Sequence, residues 1–239
     1  MKKILLLMVG LALAGCSRQT DAPPGAAPVT ETPAPAPAVP PASSAGSSSD
    51  DGRLSPELAA RLVREHSPVL GPRNAPVTIV EFLDPACEAC RAFAPVVKQI
   101  QFMHPEHVRV VVRYAAFHQG SDEAVRLLEA ARQQGKFETA LNALFEGQQD
   151  WASHHAPNVD RAWQLAAAAG IDMARARRDA RSPQADQVLR QDGEDVVALK
   201  VERTPTFFVN GRLLTDFGDR QLMALVNEEV ARAGVASTP

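Results

Sequence analysis

The sequence contains few cysteines, no concentrated block of basic residues and no apolar run long enough to be a stable membrane span. Three cysteines among 239 residues are too few for a framework of several structural disulfides. No second CxxC or CxxH motif accompanies the one CxxC motif, so a zinc knuckle with about four ligands is not supported. The formal net charge is -3, and without a basic block this balance argues against a nucleic-acid partner.

The longest apolar stretch lies at the N-terminus. Residues 1–15 read MKKILLLMVGLALAG, in which two lysines precede an apolar run, as is typical of a bacterial export signal. The last residues of this run, with Cys16, resemble the bacterial lipoprotein processing box, which implies cleavage before Cys16 and lipidation of its sulfur. Ser17 then indicates the outer membrane, so we expect a periplasmic protein held at the membrane by lipid. The alternative is an ordinary cleaved signal that leaves Cys16 as a free thiol.

Residues 16–53 follow as a tract of proline, alanine, serine and glycine with almost no bulky apolar side chain. Such a segment cannot bury a core, so we expect a disordered linker between the lipid and the rest of the protein. The remaining residues, 54–239, are enough for one domain with a substantial core.

The pattern of residues 54–239 predicts an α/β protein. A short helix is capped by Ser55 and ends before Pro68. A later helical block covers about 120–201, with Ser121 as its cap. The other predicted segments, in chain order, are strand 77–83, helix 88–103, strand 108–114, strands 206–209 and 212–215, and helix 219–233. A strand, a helix and a strand in this order favour a parallel pair with a right-handed crossover. Asn210-Gly211 predicts a hairpin turn. Together these segments predict a thioredoxin fold, a central mixed β-sheet flanked by helices, with an inserted helical subdomain.

Cys87 and Cys90 form a CxxC motif at the predicted start of helix 88–103. A disulfide between them closes so small a loop that it adds little stability, and it is better suited to being opened and closed. Free N–H groups and the positive end of the helix dipole favour a thiolate at Cys87. Cys90, one helical turn further, is placed to displace a mixed disulfide. No cofactor is implied beyond the redox-active disulfide of Cys87 and Cys90.

Other uses of the cysteine pair stay open at this point. Both thiolates and one histidine, such as His104, His107 or His118, could hold copper. A purely structural bridge is a further alternative. The adjacent His154 and His155 in a polar loop are more typical of solvated side chains than of ligands, and we predict no metal site.

Thr204-Pro205 directly precedes the predicted hairpin. The segments GPRNAPVTIVEFLDPACEAC and TPTFFVNGR resemble the DsbA-like branch of the thioredoxin superfamily, over about residues 69–234. The resemblance implies that Pro205 is cis and packs against the active-site disulfide, and that Thr204 offers backbone hydrogen bonds to a substrate chain. It also implies that Glu81 is a buried acid that relays protons to or from the resolving thiol. Without the resemblance, Glu81 is a partly exposed strand carboxylate.

The residues between the cysteines depart from the family pattern. Glu88 and Ala89 stand where relatives more often carry Pro-Tyr or Pro-His. A carboxylate beside Cys87 opposes thiolate formation, by up to ~1 kcal/mol at an exposed site. We therefore predict a less oxidising couple than that of the strongest oxidants of the family, and a Cys87 pKa near 3.5 would contradict this.

These features predict an extracytoplasmic thiol:disulfide oxidoreductase that exchanges disulfides with cysteine-containing secreted or envelope proteins. The sequence does not decide between oxidation, isomerisation and reduction. Because family members are regenerated by membrane proteins, we expect a membrane redox partner. The alternative is a membrane-tethered thioredoxin-fold binding module, for a chaperone or copper-handling role, without redox turnover.

Overall fold

The computed structural model describes residues 52–234. The predicted leader, the predicted lipidation site Cys16 and almost all of the predicted linker lie outside the described residues. Within them, the strands are β1 (Val69–Leu70), β2 (Val77–Leu83), β3 (Val108–Tyr114), β4 (Thr206–Val209) and β5 (Arg212–Leu213). They form one mixed sheet in the order β1-β3-β2-β4-β5.

The helices lie around this sheet and between its strands in the chain. They are α1 (Pro56–Ala59), α2 (Glu88–Met103), α3 (Ser121–Arg132), α4 (Phe137–Glu146), α5 (Gln148–Trp151), α6 (Val159–Ala168), α7 (Met173–Asp179), α8 (Pro183–Ala198) and α9 (Asp219–Arg232). The predicted helical insertion is therefore present, as α3 to α8 between β3 and β4. In the described part of the chain, no helix combines the length and the apolarity that crossing a bilayer requires.

Strand β2 is central because its side chains are apolar on both faces. It runs parallel to β3, with Ile79 opposite Val110, and antiparallel to β4, with Val80 opposite Phe208. Ile79 belongs to a large buried cluster with α2, α9 and the insertion, whereas Val80 belongs to a second cluster on the other face. A strand covered on both faces requires this nearly continuous run of apolar residues. The predicted thioredoxin fold is confirmed.

The predicted helix after Ser55 is wrong in length, since α1 ends at Ala59. The chain then turns, and the carbonyl oxygens of Arg61 and Leu62 accept hydrogen bonds from the guanidinium of Arg113, which is fully buried in β3. Because a buried guanidinium needs such acceptors, tertiary contacts override the local helical preference here.

Other local differences concern short elements and a cap. The residue that caps α3 is Gly120, with φ 80°, and Ser121 instead donates its hydroxyl hydrogen bond to Asp84. The sequence pattern does not predict β1, which pairs antiparallel with β3, or the short helix α5. Strand β5 ends at Leu213, two residues earlier than predicted.

Candidate active site

Both sulfurs lie where β2 gives way to α2. Cys87 is the N-terminal cap residue of α2, with φ -76° and ψ 122°, and Cys90 is buried in the first turn. Cys87 is 7 % exposed, whereas Cys90 is 0 % exposed. Both are free thiols in this structure. Cys87 is therefore the sulfur nearer to solvent, and it lies against the positive end of the helix dipole.

The Thr204–Pro205 peptide bond is cis, and it lies beside the first sulfur. The backbone oxygen of Thr204 is 3.2 Å from the Sγ of Cys87. Strand β4 begins at the next residue and pairs antiparallel with β2, which carries this segment to the active-site turn. Thr204 is half-buried and Pro205 is buried.

The two thiols have opposite acidities. A hydrogen bond with Cys90 lowers the pKa of Cys87 to about 5, against the effect of burial, and hydrogen bonds from Thr204 and from backbone N–H groups of the first turn act in the same direction. Burial raises the pKa of Cys90 far above its usual value, and the neighbouring Cys87 sulfur and Glu81 add to this. At neutral pH Cys87 is a thiolate and Cys90 keeps its proton.

Glu88 does not act as an isolated charge beside Cys87. Its carboxylate is exposed and lies 2.8 Å from the Nε2 of His154, in the loop after α5. Its own backbone N–H at the helix start, together with this histidine, lowers the pKa of Glu88. Ala89 is half-buried, and its backbone N–H is among the groups that stabilise the Cys87 thiolate. The predicted less oxidising couple stays a prediction.

Glu81 is buried in the middle of β2, on the face that packs against α2. Burial, with the charge of Cys87 as a second cause, raises the pKa of Glu81 to about 8. Its side chain borders a cavity of about 30 Å³ whose lining includes Lys98 and Asn142. A cavity of this size holds about one water molecule. Glu81 is therefore not a partly exposed carboxylate, and its proton-relay role stays a prediction.

Asp84 is a central residue that sequence reasoning missed. It follows β2 directly and is fully buried. One carboxylate oxygen accepts from the backbone N–H of Ala86 at 2.8 Å and from the Ser121 hydroxyl. The other accepts from the backbone N–H groups of Phe117 at 2.7 Å and His118 at 2.9 Å, and lies 2.8 Å from the His118 ring. Asp84 lies at the end of a predicted strand, three residues before Cys87, and this position could have indicated it as a site residue.

Gln148, in α5, fixes the turn before Cys87. Its side chain is buried, and the Nε2 donates to the carbonyl oxygens of Pro85 at 2.9 Å and Cys87 at 3.0 Å. Its Oε1 accepts from the Nε of Arg91 at 3.0 Å. The helical insertion therefore holds the active-site turn directly. No sequence signal singled out this residue.

A groove of about 480 Å³ begins at the cis proline and runs along β5. Its lining includes Arg203, Pro205, Leu213 and Phe217. Leu213 and Phe217 are each about 40 % exposed, so both present apolar surface to the groove. The lining of the groove combines apolar and charged side chains.

The candidate copper ligands do not converge on the sulfurs. His104 ends α2, at the opposite end from the cysteines, where its Nε2 lies 2.9 Å from the Oδ1 of Asn227. His107 directly precedes β3, also far from the active-site end of the sheet. Across residues 52–234, no three histidine, cysteine or carboxylate side chains are grouped as metal ligands. Of the three histidines, His118 alone lies at the active-site turn.

Known proteins match the chain over most of its length. The sequence model of a family described as "Thioredoxin" matches residues 64–239. The Na(+)/H(+) antiporter NhaA of Herminiimonas arsenicoxydans is 31 % identical over 164 residues, which cover 69 % of this chain and 25 % of that protein. The chain spans about a quarter of the length of the curated relatives it matches.

Three solved structures illustrate the likeness. A thioredoxin-like oxidoreductase from Silicibacter pomeroyi DSS-3 is 30 % identical, with a TM-score of 0.59 over 72 % of this chain and 95 % of that one. BdbD from Bacillus subtilis is 23 % identical, with a TM-score of 0.62 over 70 % and 94 %. Alpha-DsbA1 from Wolbachia pipientis is 15 % identical, with a TM-score of 0.63 over 74 % and 98 %. The last two show the shared fold.

Proposed function

Because the chain belongs to the thioredoxin family and resembles a thioredoxin-like oxidoreductase over 72 % of its length, we propose that it is a thiol:disulfide oxidoreductase acting through Cys87 and Cys90. The observation that carries this proposal is that Cys87, 7 % exposed, caps α2 with a lowered pKa, while Cys90 is fully buried in the first turn of the same helix. An attacking thiolate forms a mixed disulfide, and a second thiol close by in the chain can then resolve it.

The proposed reaction proceeds in two exchange steps. The Cys87 thiolate attacks one sulfur of a substrate disulfide, forms a mixed disulfide and releases the other substrate sulfur as a thiolate. Cys90 then loses its proton and attacks the Cys87 sulfur. This forms the Cys87–Cys90 disulfide and releases the second substrate thiolate, so two electrons pass to the substrate. Running in reverse, the same steps oxidise a substrate dithiol.

We assign Glu81 the role of accepting the Cys90 proton. While Cys87 is a thiolate, its charge helps to keep Glu81 protonated. Once Cys87 is in the mixed disulfide, that charge is gone and the pKa of Glu81 falls. The carboxylate then becomes available on the same face of the sheet as Cys90, at the moment when Cys90 must ionise.

The groove along Pro205 is our candidate for the substrate chain. The carbonyl oxygen of Thr204, next to the attacking sulfur, can accept a backbone hydrogen bond from an extended peptide. Leu213 and Phe217 offer apolar contacts further along the same groove. The proposed substrates are cysteine-containing proteins outside the cytoplasm, and a membrane redox partner would return the cysteine pair to its starting state.

We also propose that the protein is periplasmic and lipid-anchored through Cys16, a residue outside the described range. In cells given labelled palmitate, the wild-type chain should incorporate label and a Cys16→Ala variant should not. If both chains incorporate label equally, or if neither does, the proposed lipid anchor is refuted. The proposed exchange chemistry does not depend on this result.

The activity is tested with the full chain in detergent. Wild type should reduce insulin with a thiol reductant present, or refold scrambled ribonuclease. Cys87→Ser should lose both activities, while Ala89→Ser, which adds a hydroxyl between the cysteines and keeps both sulfurs, should retain them. If Cys87→Ser is as active as wild type, or if wild type is inactive in both assays, the proposal fails. The binding-module alternative predicts the second result.

A further inference from the structure

His118 lies at the rim of the candidate active site and is held there firmly. It follows β3 in the loop that leads to α3, and its side chain is 28 % exposed. A single oxygen of Asp84 accepts from the His118 backbone N–H at 2.9 Å and lies 2.8 Å from the His118 Nδ1. With its backbone and its ring bound to the same carboxylate, this histidine has little freedom to turn away.

The same carboxylate fixes the turn that carries the sulfurs. The other oxygen of Asp84 accepts from the backbone N–H of Ala86, the residue before Cys87, at 2.8 Å. The backbone N–H of Asp84 lies 3.4 Å from the Sγ of Cys90. Asp84 therefore sets the position of the His118 ring relative to both cysteines.

A second contact brackets His118 from the other side. Its ring centroid is 5.5 Å from that of His154, and the Nε2 of His154 binds Glu88, the residue after Cys87. The ring of His118 is thus tied, through one neighbour on each side, to the residues before and after Cys87. No residue between the two cysteines carries a positive charge.

We propose that His118, charged and held by Asp84, is a positioning residue that stabilises the Cys87 thiolate from outside the CxxC segment and so sets the reactivity of the cysteine pair. The inference rests on the proposed function and deepens it. Glu88 alone would disfavour the thiolate, and the positive charge of His118 opposes that effect.

The protonation of His118 agrees with this role. Burial by itself would lower the pKa of His118, but the hydrogen bond and charge of Asp84 raise it above its usual value, with further contributions from Cys87 and Glu88. The titratable groups near Cys87 come from several elements: Glu81 from β2, Asp84 directly after β2, Glu88 and Cys90 from α2, and His118 and His154 from the loops after β3 and α5. Of these, His118 is the group whose positive charge the Asp84 carboxylate directly stabilises.

The first test replaces the charge. A nearby opposite charge shifts a pKa by about 1 to 3 units, and because His118 is partly exposed and paired with Asp84, we expect a shift at the low end. His118→Gln should therefore raise the Cys87 pKa by about one unit, as measured from the pH dependence of alkylation. Because the thiolate is then less stable, the redox equilibrium with glutathione should shift about tenfold toward the disulfide at pH 7. His118→Lys, which keeps the charge, should stay close to wild type. His107→Gln, at the opposite end of β3, serves as the matched control and should change nothing.

The second test needs no variant and so does not depend on folding of the substituted chain. Coupling between two groups is reciprocal, so the thiolate must raise the pKa of His118 as much as His118 lowers that of Cys87. NMR titration of the histidines in wild type should give a His118 pKa about one unit higher in the dithiol form than in the disulfide form.

Equal His118 pKa values in the two redox forms would overturn the inference, as would identical Cys87 shifts in the Gln and Lys variants. These results are independent of turnover. A wild-type chain that fails to exchange disulfides refutes the proposed function, whereas the coupling of His118 to Cys87 is measured by alkylation and NMR in either case.

Discussion

Replacing Glu81 by glutamine is expected to stabilise the protein at neutral pH. The Glu81 carboxyl is buried in the central strand, and burial raises its pKa to about 8. Glutamine has nearly the same shape and carries no charge that burial would penalise. The comparison belongs in a Cys87→Ser/Cys90→Ser background, because Cys87 titrates in the same range and would stabilise the folded state as the pH rises, which masks the effect of Glu81.

The size of the effect follows from linkage. The pKa of Glu81 is 4.5 in the unfolded chain and about 8 in the folded chain. Between these two pH values Glu81 loses its proton in the unfolded chain and keeps it in the folded chain. Stability is then lost as the pH rises through this window, by about 1.4 kcal/mol per unit. At pH 7 this amounts to about 3 kcal/mol. Because the Cys87 thiolate, the smaller of the two causes of the raised pKa, is absent from this background, we expect about 2 kcal/mol.

Urea unfolding measures the difference directly. The free energy of unfolding should be similar for the parent and Glu81→Gln at pH 4, and the variant should become progressively more stable up to pH 8. Glu138→Gln, an exposed carboxylate that borders the same cavity, is the matched control and should show no such trend. If the parent and Glu81→Gln differ by a constant amount at every pH, the reasoning about Glu81 is refuted.

Three further predictions follow from the same contacts. The rate of Cys87 alkylation should reach half its maximum near pH 5, and a midpoint near 8.5, that of a free thiol, would contradict the stabilised thiolate. Gln148→Leu leaves the carbonyl oxygens of Pro85 and Cys87 without their donor, so urea unfolding should show a loss of about 1–3 kcal/mol; an unchanged midpoint would contradict it. Asp195→Ala leaves the buried Arg113 without one of its carboxylates and should cost about 3–5 kcal/mol, so a loss below about 1 kcal/mol would show that the pair is not desolvated.

The elements that hold the cysteines could be predicted because their periodicity is strong. Strand β2 is a nearly continuous apolar run, and the apolar residues of α2 recur at three and four positions. These two patterns locate the strand-to-helix junction where Cys87 lies. The hairpin turn after β4 has its own local signal in Asn210-Gly211. The fold follows from such signals, since each of them is local.

The rest of the site depends on contacts between segments far apart in the chain. Asp84 binds the ring of His118, 34 residues away, and Gln148 reaches Pro85, 63 residues away. Nothing in the local pattern of either segment encodes such a contact. The helix after Ser55 is shortened for the same reason, because the buried guanidinium of Arg113 takes up backbone oxygens that a helix would use. Tertiary demand of this kind overrides local propensity.

The most direct test of the account is to trap the mixed disulfide on each sulfur in turn. The full chain with Cys90→Ser, mixed with a peptide that contains a disulfide, should accumulate a covalent adduct at Cys87 that mass spectrometry identifies. The chain with Cys87→Ser should accumulate none, because Cys90 is buried and keeps its proton. Equal adduct on the two variants, or adduct on Cys90 alone, would contradict the assignment of Cys87 as the attacking sulfur.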